Sequence, residues 1–180
     1  MATIAEGTAM QPPVAGWDKA MPKDKQLWML ALVVASIVMI AISFAWFFVG
    51  RQNIPWRNYA TTPEAFEQQT KAFVAKFETK PGSGIVNVPP GEDIFLLNKI
   101  WAFEPAEIHV KTGGSYTIWY SSKDVMHNPI IADQRLTFTA IPGHAYGIQF
   151  TPTTPGTYLI YCAEYCGIGH QAMAGKLVVE

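Results

Sequence analysis

Near the C-terminus, the stretch CAEYCGIGHQAM from Cys162 to Met173 places two thiols, an imidazole and a thioether within twelve residues. Cys162 and Cys166 are the only cysteines of the chain, and His170 and Met173 follow at short, even spacings. Soft sulfur ligands combined with imidazole select copper or zinc over hard cations. The trailing Met173 favours copper, because zinc sites draw on Cys, His and carboxylates and rarely on a thioether. A Cys162–Cys166 disulfide is the competing reading of the thiols, but it leaves His170 and Met173 without a role. A zinc site leaves Met173 without one.

One more donor is wanted from elsewhere, and His127 in DVMHNP offers it, directly after the strand-like run SYTIWYS. Two thiolates, two imidazoles and one Met exceed the needs of a single tetrahedral centre. A mononuclear blue-copper site takes one Cys, two His and a long axial Met; here a second Cys stands between the first Cys and the His. The economical solution is two copper ions bridged by both sulfurs, each with its own His. Met173 is then a weak ligand to one ion, and the main-chain carbonyl of Glu164, midway between the cysteines, a ligand to the other. With no open coordination position, such a centre is suited to passing single electrons rather than binding a substrate. His109 and His144 read as surface residues of strands or turns, and Met126 as core packing, none of them as ligands.

These donors need elements to hold them. The chain has 180 residues and a net charge of −1, with 15% charged residues, so no basic footprint points to nucleic acid. From Gln26 to Gly50 no residue is charged. A bilayer core of roughly 30 Å needs about 20 apolar helical residues, and this run supplies them. Trp28 and Trp46 near its two ends suit the interfacial belts. The run is too long, begins too late and lacks the small-residue cleavage site of a signal peptide, so 26–50 is expected to be one retained transmembrane helix in contact with lipid. Lys19, Lys23 and Lys25 precede it and Arg51 and Arg57 follow, a small excess that favours an inside N-terminus and an extracytoplasmic C-terminal domain. Paired cysteines in such a compartment oxidise unless a metal holds them as thiolates.

Residues 1–25 carry no periodic pattern and read as a lead-in. Residues 51–83 read as a linker holding one amphipathic helix, PEAFEQQTKAFVAKFET. Pro63 and Glu64 suit its first turn, and Phe66, Thr70, Phe73 and Phe77 form one face that is expected to lie on a membrane or a partner. From 84 to 180 the pattern changes to short β-rich runs between Gly and Pro. IVNV, EDIFLLNKIWAF, EIHV, SYTIWYS, RLTFTAI, AYGIQF, GTYLIYC and GKLVVE are eight candidate strands, which argues for a β-sandwich or small barrel. The metal loop falls between the last two, where adjacent strands can fix its geometry.

At these residues the chain resembles a known family. His127 followed by C-x-E-x-C-x3-H-x2-M at Cys162, Glu164, Cys166, His170 and Met173 is similar to the CuA-binding motif of cytochrome c oxidase subunit II. The single membrane helix and the ending CGIGHQAMAGKLVVE look like subunit II of the ba3-type (B-family) haem-copper oxidases. The resemblance implies a mainly β, cupredoxin-like Greek-key sandwich or barrel anchored by one N-terminal transmembrane helix in the inner (plasma) membrane. It implies His127, Cys162, Cys166, His170 and Met173 as side-chain ligands of CuA and Glu164 as a carbonyl ligand. It further implies haem and CuB in a partner subunit I, a soluble donor (cytochrome c or a small copper protein), and O2 reduction to water with proton pumping in that partner. In several members the Glu side chain of the motif also helps to bind Mg2+ between subunits I and II, so Glu164 is a candidate for that too. The aromatic run that receives electrons in the mitochondrial type is absent. WAF at 101–103 occupies the equivalent strand and makes Trp101 the candidate residue at which the electron enters. The segment after His127 reads HNPII rather than an aromatic-rich sequence. Two other classes compete: the CuA-bearing subunit of a nitric oxide reductase, which the same motif fits, and a membrane-anchored copper chaperone, which leaves Glu164 and Met173 unexplained. Nitrous oxide reductase shares the motif but needs a large additional domain.

Overall fold

The computed structural model describes residues 19–50, 55, 57–132, 134 and 136–180. Most of the lead-in expected over 1–25, and Arg51 of the charge count, lie outside them. The chain divides into two compact units, meeting between Arg51 and Gln52.

Among its described residues the first unit holds a single helix, α1 (Lys23–Val49), 27 residues long, which begins three residues before the apolar run with Pro22 at the N-cap position. At 1.5 Å per residue it is about 40 Å long, with mean hydropathy 2.6 over its most apolar window and none of that window buried. It is long and apolar enough to cross a bilayer. Its two serines hide their hydroxyls by donating back along the helix, Ser36 Oγ to Leu32 O and Ser43 Oγ to Met39 O, so neither hydroxyl needs water.

The second unit is a two-sheet sandwich. One sheet is built from β1 (Arg57–Ala60), β3 (Asp93–Lys99), β4 (Ala102–Glu104), β6 (Tyr116–Ser122) and β9 (His144–Phe150), in the order β1-β9-β6-β3-β4. The other comprises β2 (Ile85–Asn87), β5 (Glu107–Val110), β7 (Pro129–Ile131), β8 (Leu136–Thr137), β10 (Gly156–Cys162) and β11 (Ala174–Val179), in the order β2-β5-β11-β10-β7-β8. The chain crosses repeatedly between the sheets, giving the mainly β, cupredoxin-like Greek-key sandwich that the resemblance implies. Pairing is mixed: β3 runs parallel to β6, and β5 parallel to both β2 and β11. All seven residues of β6 are buried. Tyr116, Ile118 and Tyr120 enter the core between the sheets, together with Ile94, Leu96, Ile108, Ile160 and Leu177. Trp119 points to the opposite face with Leu97 and Ala145.

That opposite face is covered by α2 (Pro63–Phe77), whose N-cap Thr62 accepts a hydrogen bond from Ala65 N–H through Oγ1. Phe66, Thr70 and Phe73 are buried, and both phenylalanine rings pack on Phe95, with centroids 5.8 and 6.0 Å away. Burying each phenylalanine stabilises the fold by roughly 1.5–3 kcal/mol. The apolar stripe expected to lie on a membrane or partner is therefore covered by the chain's own sheet.

The strands also depart from the eight runs. EDIFLLNKIWAF is not one strand: Ile100 and Trp101 form a two-residue hairpin between β3 and β4, with Lys99 paired to Ala102. HNPII supplies β7, where Pro129 is tolerated because it stands first in the strand. RLTFTAI keeps only Leu136–Thr137 as a strand, and β1 was not foreseen.

Candidate metal centre

The potential ligands converge at one end of the sandwich. Strand β10 ends on Cys162, the loop that follows carries Glu164 and Cys166, and a short 3-10 turn η1 (His170–Ala172) delivers His170 and Met173 into β11. Such a turn suits the spacing, because residues three apart in a 3-10 helix fall on one side. His127 arrives from the β6–β7 connection. Its backbone is held by reciprocal hydrogen bonds with Ala140, at 3.0 and 2.7 Å, and Ala163 N–H donates to Asn128 O, tying the two loops together.

The geometry sorts the donors into two groups. Cys162 Sγ lies 3.9 Å from His127 Nδ1 and 3.1 Å from Glu164 O. Cys166 Sγ lies 3.6 Å from His170 Nδ1 and 3.8 Å from Met173 Sδ. The ligand atoms of His127, Cys162 and Cys166 all fall within 4.8 Å of one another, and the cysteines are free thiols. Nitrogen and sulfur bonded to one first-row ion at about 2.0 and 2.3 Å stand about 3.5 Å apart at a tetrahedral angle. The donor set therefore suits a soft first-row ion such as copper, with one imidazole beside each thiol.

Most of the donors are withdrawn from solvent. His127 is fully buried, and Cys162, Cys166 and Met173 nearly so. His170 is half-buried, with the Tyr165 ring 5.9 Å from its own. Burial pushes the Cys166 thiol up, with the nearby Cys162 adding to the effect, to about 11. Thiolate ligation then releases protons, since a metal must displace them from sulfur.

Asp124, three residues before His127, was not singled out from the sequence. Its Oδ1 accepts from His127 Nε2 at 2.8 Å and from Val125 N–H at 2.7 Å, and its Oδ2 accepts from Ile100 N–H at 2.6 Å. Burial raises the Asp124 pKa, but the bonds from His127, Val125 and Ile100 outweigh it and leave the carboxyl below its ordinary value. The Asp124 carboxylate on Nε2 turns the Nδ1 of His127 toward the Cys162 sulfur, the side on which a metal would be bound. An acidic residue at i−3 on the same turn was the available signal.

Trp101 sits in the β3–β4 turn, 45% exposed, with its indole against Gly167 and Gly169 of the ligand loop. The Glu164 carboxylate makes no hydrogen bond or ion pair among the described residues, while its backbone carbonyl faces Cys162. Met126 is exposed rather than packed in the core, because the turn after β6 aims it outward. Ile100 and Trp101 on the β3–β4 turn, and Val125, Tyr165 and Ile168 on the loops that carry the ligands, are exposed as well and form with it an uncharged rim. His109 bridges Glu180 and Glu107 on β5, and exposed His144 stacks near Tyr146; neither joins the donor cluster.

Known proteins share parts of this sequence and fold. Residues 106–180 match the family profile described as cytochrome c oxidase subunit II, periplasmic domain. A cytochrome c oxidase subunit 2 of Thermus thermophilus is 30% identical over 101 residues, covering 56% of this chain and 75% of the relative. A second subunit 2 from the same species is 30% identical over the same length, covering 60% of that protein. Among solved structures, a chain of a haem-copper terminal oxidase dimer superposes with a TM-score of 0.55 at 24% identity, covering 88% of this chain and all of that one. That structural likeness bears on the fold.

Proposed function

Because the chain belongs to the cytochrome c oxidase subunit II family, we propose that it is the electron-receiving subunit of a haem-copper oxidase and holds a binuclear CuA centre. In this reading a soluble donor, a cytochrome c or a small copper protein, passes single electrons to the centre. They continue to a haem in subunit I, where O2 is reduced to water and protons are pumped. This chain forms no bond to oxygen.

The observation that carries the reading is the pairing of each thiol with its own imidazole, at 3.9 and 3.6 Å, in a buried pocket. When bound, the copper pair would supply a store for one electron. The chain's residues do the rest. His127, Cys162, Cys166, His170 and Met173 would hold the copper through their side chains and Glu164 through its carbonyl. Asp124 keeps the His127 ring in its ligating tautomer and orientation. Strands β10 and β11, paired from Gly156↔Val179 to Tyr161↔Ala174, hold the two ends of the ligand loop in register, which limits rearrangement when charge changes. Burial of both thiols excludes water and tunes the potential.

The uncharged rim around the loop suits brief docking of a redox partner, an interface class at the small end of the size range. Trp101 lies within that rim and touches the ligand loop. Helix α1 anchors the chain in the inner membrane with the β unit on the periplasmic side. The Glu164 carboxylate is open to a Mg2+ ion shared with subunit I.

Loading the full chain with Cu(II) in detergent tests the reading. Two equivalent copper nuclei sharing one electron give a seven-line paramagnetic resonance pattern. A four-line pattern, or no uptake, sinks the binuclear centre. A co-purifying multi-helix subunit with haem and CuB identifies the assembly, and its own activity separates O2 from nitric oxide reduction.

A further inference from the structure

Trp101 is the one non-glycine residue with positive φ among the described residues, at 63°. The left-handed region costs a residue with a side chain on the order of 1–2 kcal/mol, and such strain persists only where the surroundings over-determine it. Two contacts do so. Ile100 N–H is held by Asp124 Oδ2, and the indole lies directly on the backbone of the ligand loop. A Cβ built on Gly169 would stand 2.5 Å from Trp101 Cγ and 2.9 Å from Cε2, and one built on Gly167 would stand 3.3 Å from Nε1. Gly169 itself has φ −91° and ψ 8°, a conformation open to residues with a side chain. Its backbone therefore has no need of glycine; the indole does.

We infer that Gly169 is a positioning residue: its missing side chain lets the indole of Trp101, the candidate port for the donor's electron, rest on the segment between Cys166 and His170, and passage of the electron from that port to the ligands depends on this seat. The inference rests on the electron-relay reading above. In the step, the donor is oxidised by one electron and the centre reduced by one, with no bond made or broken and no proton moved. Gly167, at φ 118°, answers to its backbone first and is the poorer probe.

The test is a double-variant cycle on the full chain in detergent, read twice. In the metal-free protein, Gly169→Ala lowers the denaturant midpoint when Trp101 is present and leaves it unmoved in a Trp101→Ala background. The smaller ring of Trp101→Phe recovers part of the loss. In the copper-loaded protein, Gly169→Ala slows reduction by reduced cytochrome c and by reduced azurin at least tenfold with the visible bands still in place. It adds nothing to the slowing caused by Trp101→Ala. An equal midpoint loss in both backgrounds overturns the seat, because Gly169 then serves the loop and not the indole. An unchanged reduction rate in loaded Gly169→Ala overturns the port. A wild-type chain that takes up no copper overturns the relay and the port together, while the metal-free cycle still reports on the seat alone.

Discussion

Asp124 offers a perturbation that separates two roles of one carboxylate. Its Oδ1 serves His127 Nε2 and Val125 N–H, and its Oδ2 serves Ile100 N–H. All three partners are donors, so Asp124→Asn can satisfy only one side. The orientation that keeps the amide oxygen on His127 and Val125 sets an NH2 against Ile100 N–H. Losing a hydrogen bond to a charged group costs about 1.5–3 kcal/mol. Asp124 is partly exposed, so water compensates and the lower half of that range applies. Asp124→Asn is therefore expected to lower unfolding free energy by roughly 1.5–2 kcal/mol while leaving copper affinity within a few-fold. Asp124→Ala also frees the His127 ring, and loss of such an orienting partner weakens metal binding about 10–100-fold. Denaturant unfolding of the metal-free chain and competition titration with a copper chelator measure the two quantities. If Asp124→Ala binds copper as tightly as the wild type, the carboxylate does not orient the ligand. If Asp124→Asn loses affinity as far as Asp124→Ala does, the separation argued from the two oxygens is wrong.

Other outcomes follow from the same geometry. Cys166→Ser removes one thiolate from the group containing His170 and Met173, and is expected to convert a seven-line resonance pattern to four lines; a retained seven-line pattern refutes the bridging role. Met173→Leu preserves apolar volume and removes only a weak ligand, so both coppers stay and the potential shifts; total metal loss, read by elemental analysis, contradicts this. Phe66→Ala opens a cavity between α2 and β3 and should cost about 3–5 kcal/mol in denaturant unfolding; a cost below about 1 kcal/mol would mean that α2 is loosely docked. Burial lowers the His109 pKa, but the hydrogen bonds its ring donates to Glu180 and Glu107 outweigh it and the net shift is upward. A folded-state pKa above the unfolded value gives stability that is full below about pH 6.5 and is lost as pH rises through the folded pKa. Glu180, held down first by Lys111 and then by His109, gives stability that is lost in acid instead. Unfolding measured against pH, with His109→Gln abolishing the loss on the alkaline side, checks the sign.

Several features lay in local spacing. Five of the six donors in the candidate centre sit within Cys162–Met173, and a loop that short between two paired strands cannot carry them far apart. Apolar length alone marked α1, since a bilayer-spanning segment must satisfy its backbone internally whatever surrounds it. The face of α2 was legible as Phe66, Thr70 and Phe73, but not what covers it, because a stripe states only that something apolar must meet it.

What tertiary structure decided is the set of partners that come from far along the chain. Asp124 reaches Ile100 across 24 residues, and the β3–β4 turn that makes this possible contains no Gly, Asn, Asp or Pro to announce it. Trp101 therefore read as mid-strand, although it turns the chain in a left-handed conformation held from outside by Asp124 and the ligand loop. Pro129 hid β7 for the opposite reason: a residue that discourages strands is tolerated at a strand's first position. Residue types and short spacings determined which groups could bind copper. Register between strands, set by burial across the whole sandwich, decided that Asp124 also holds Ile100 and which indole rests against the loop that carries Cys166 and His170.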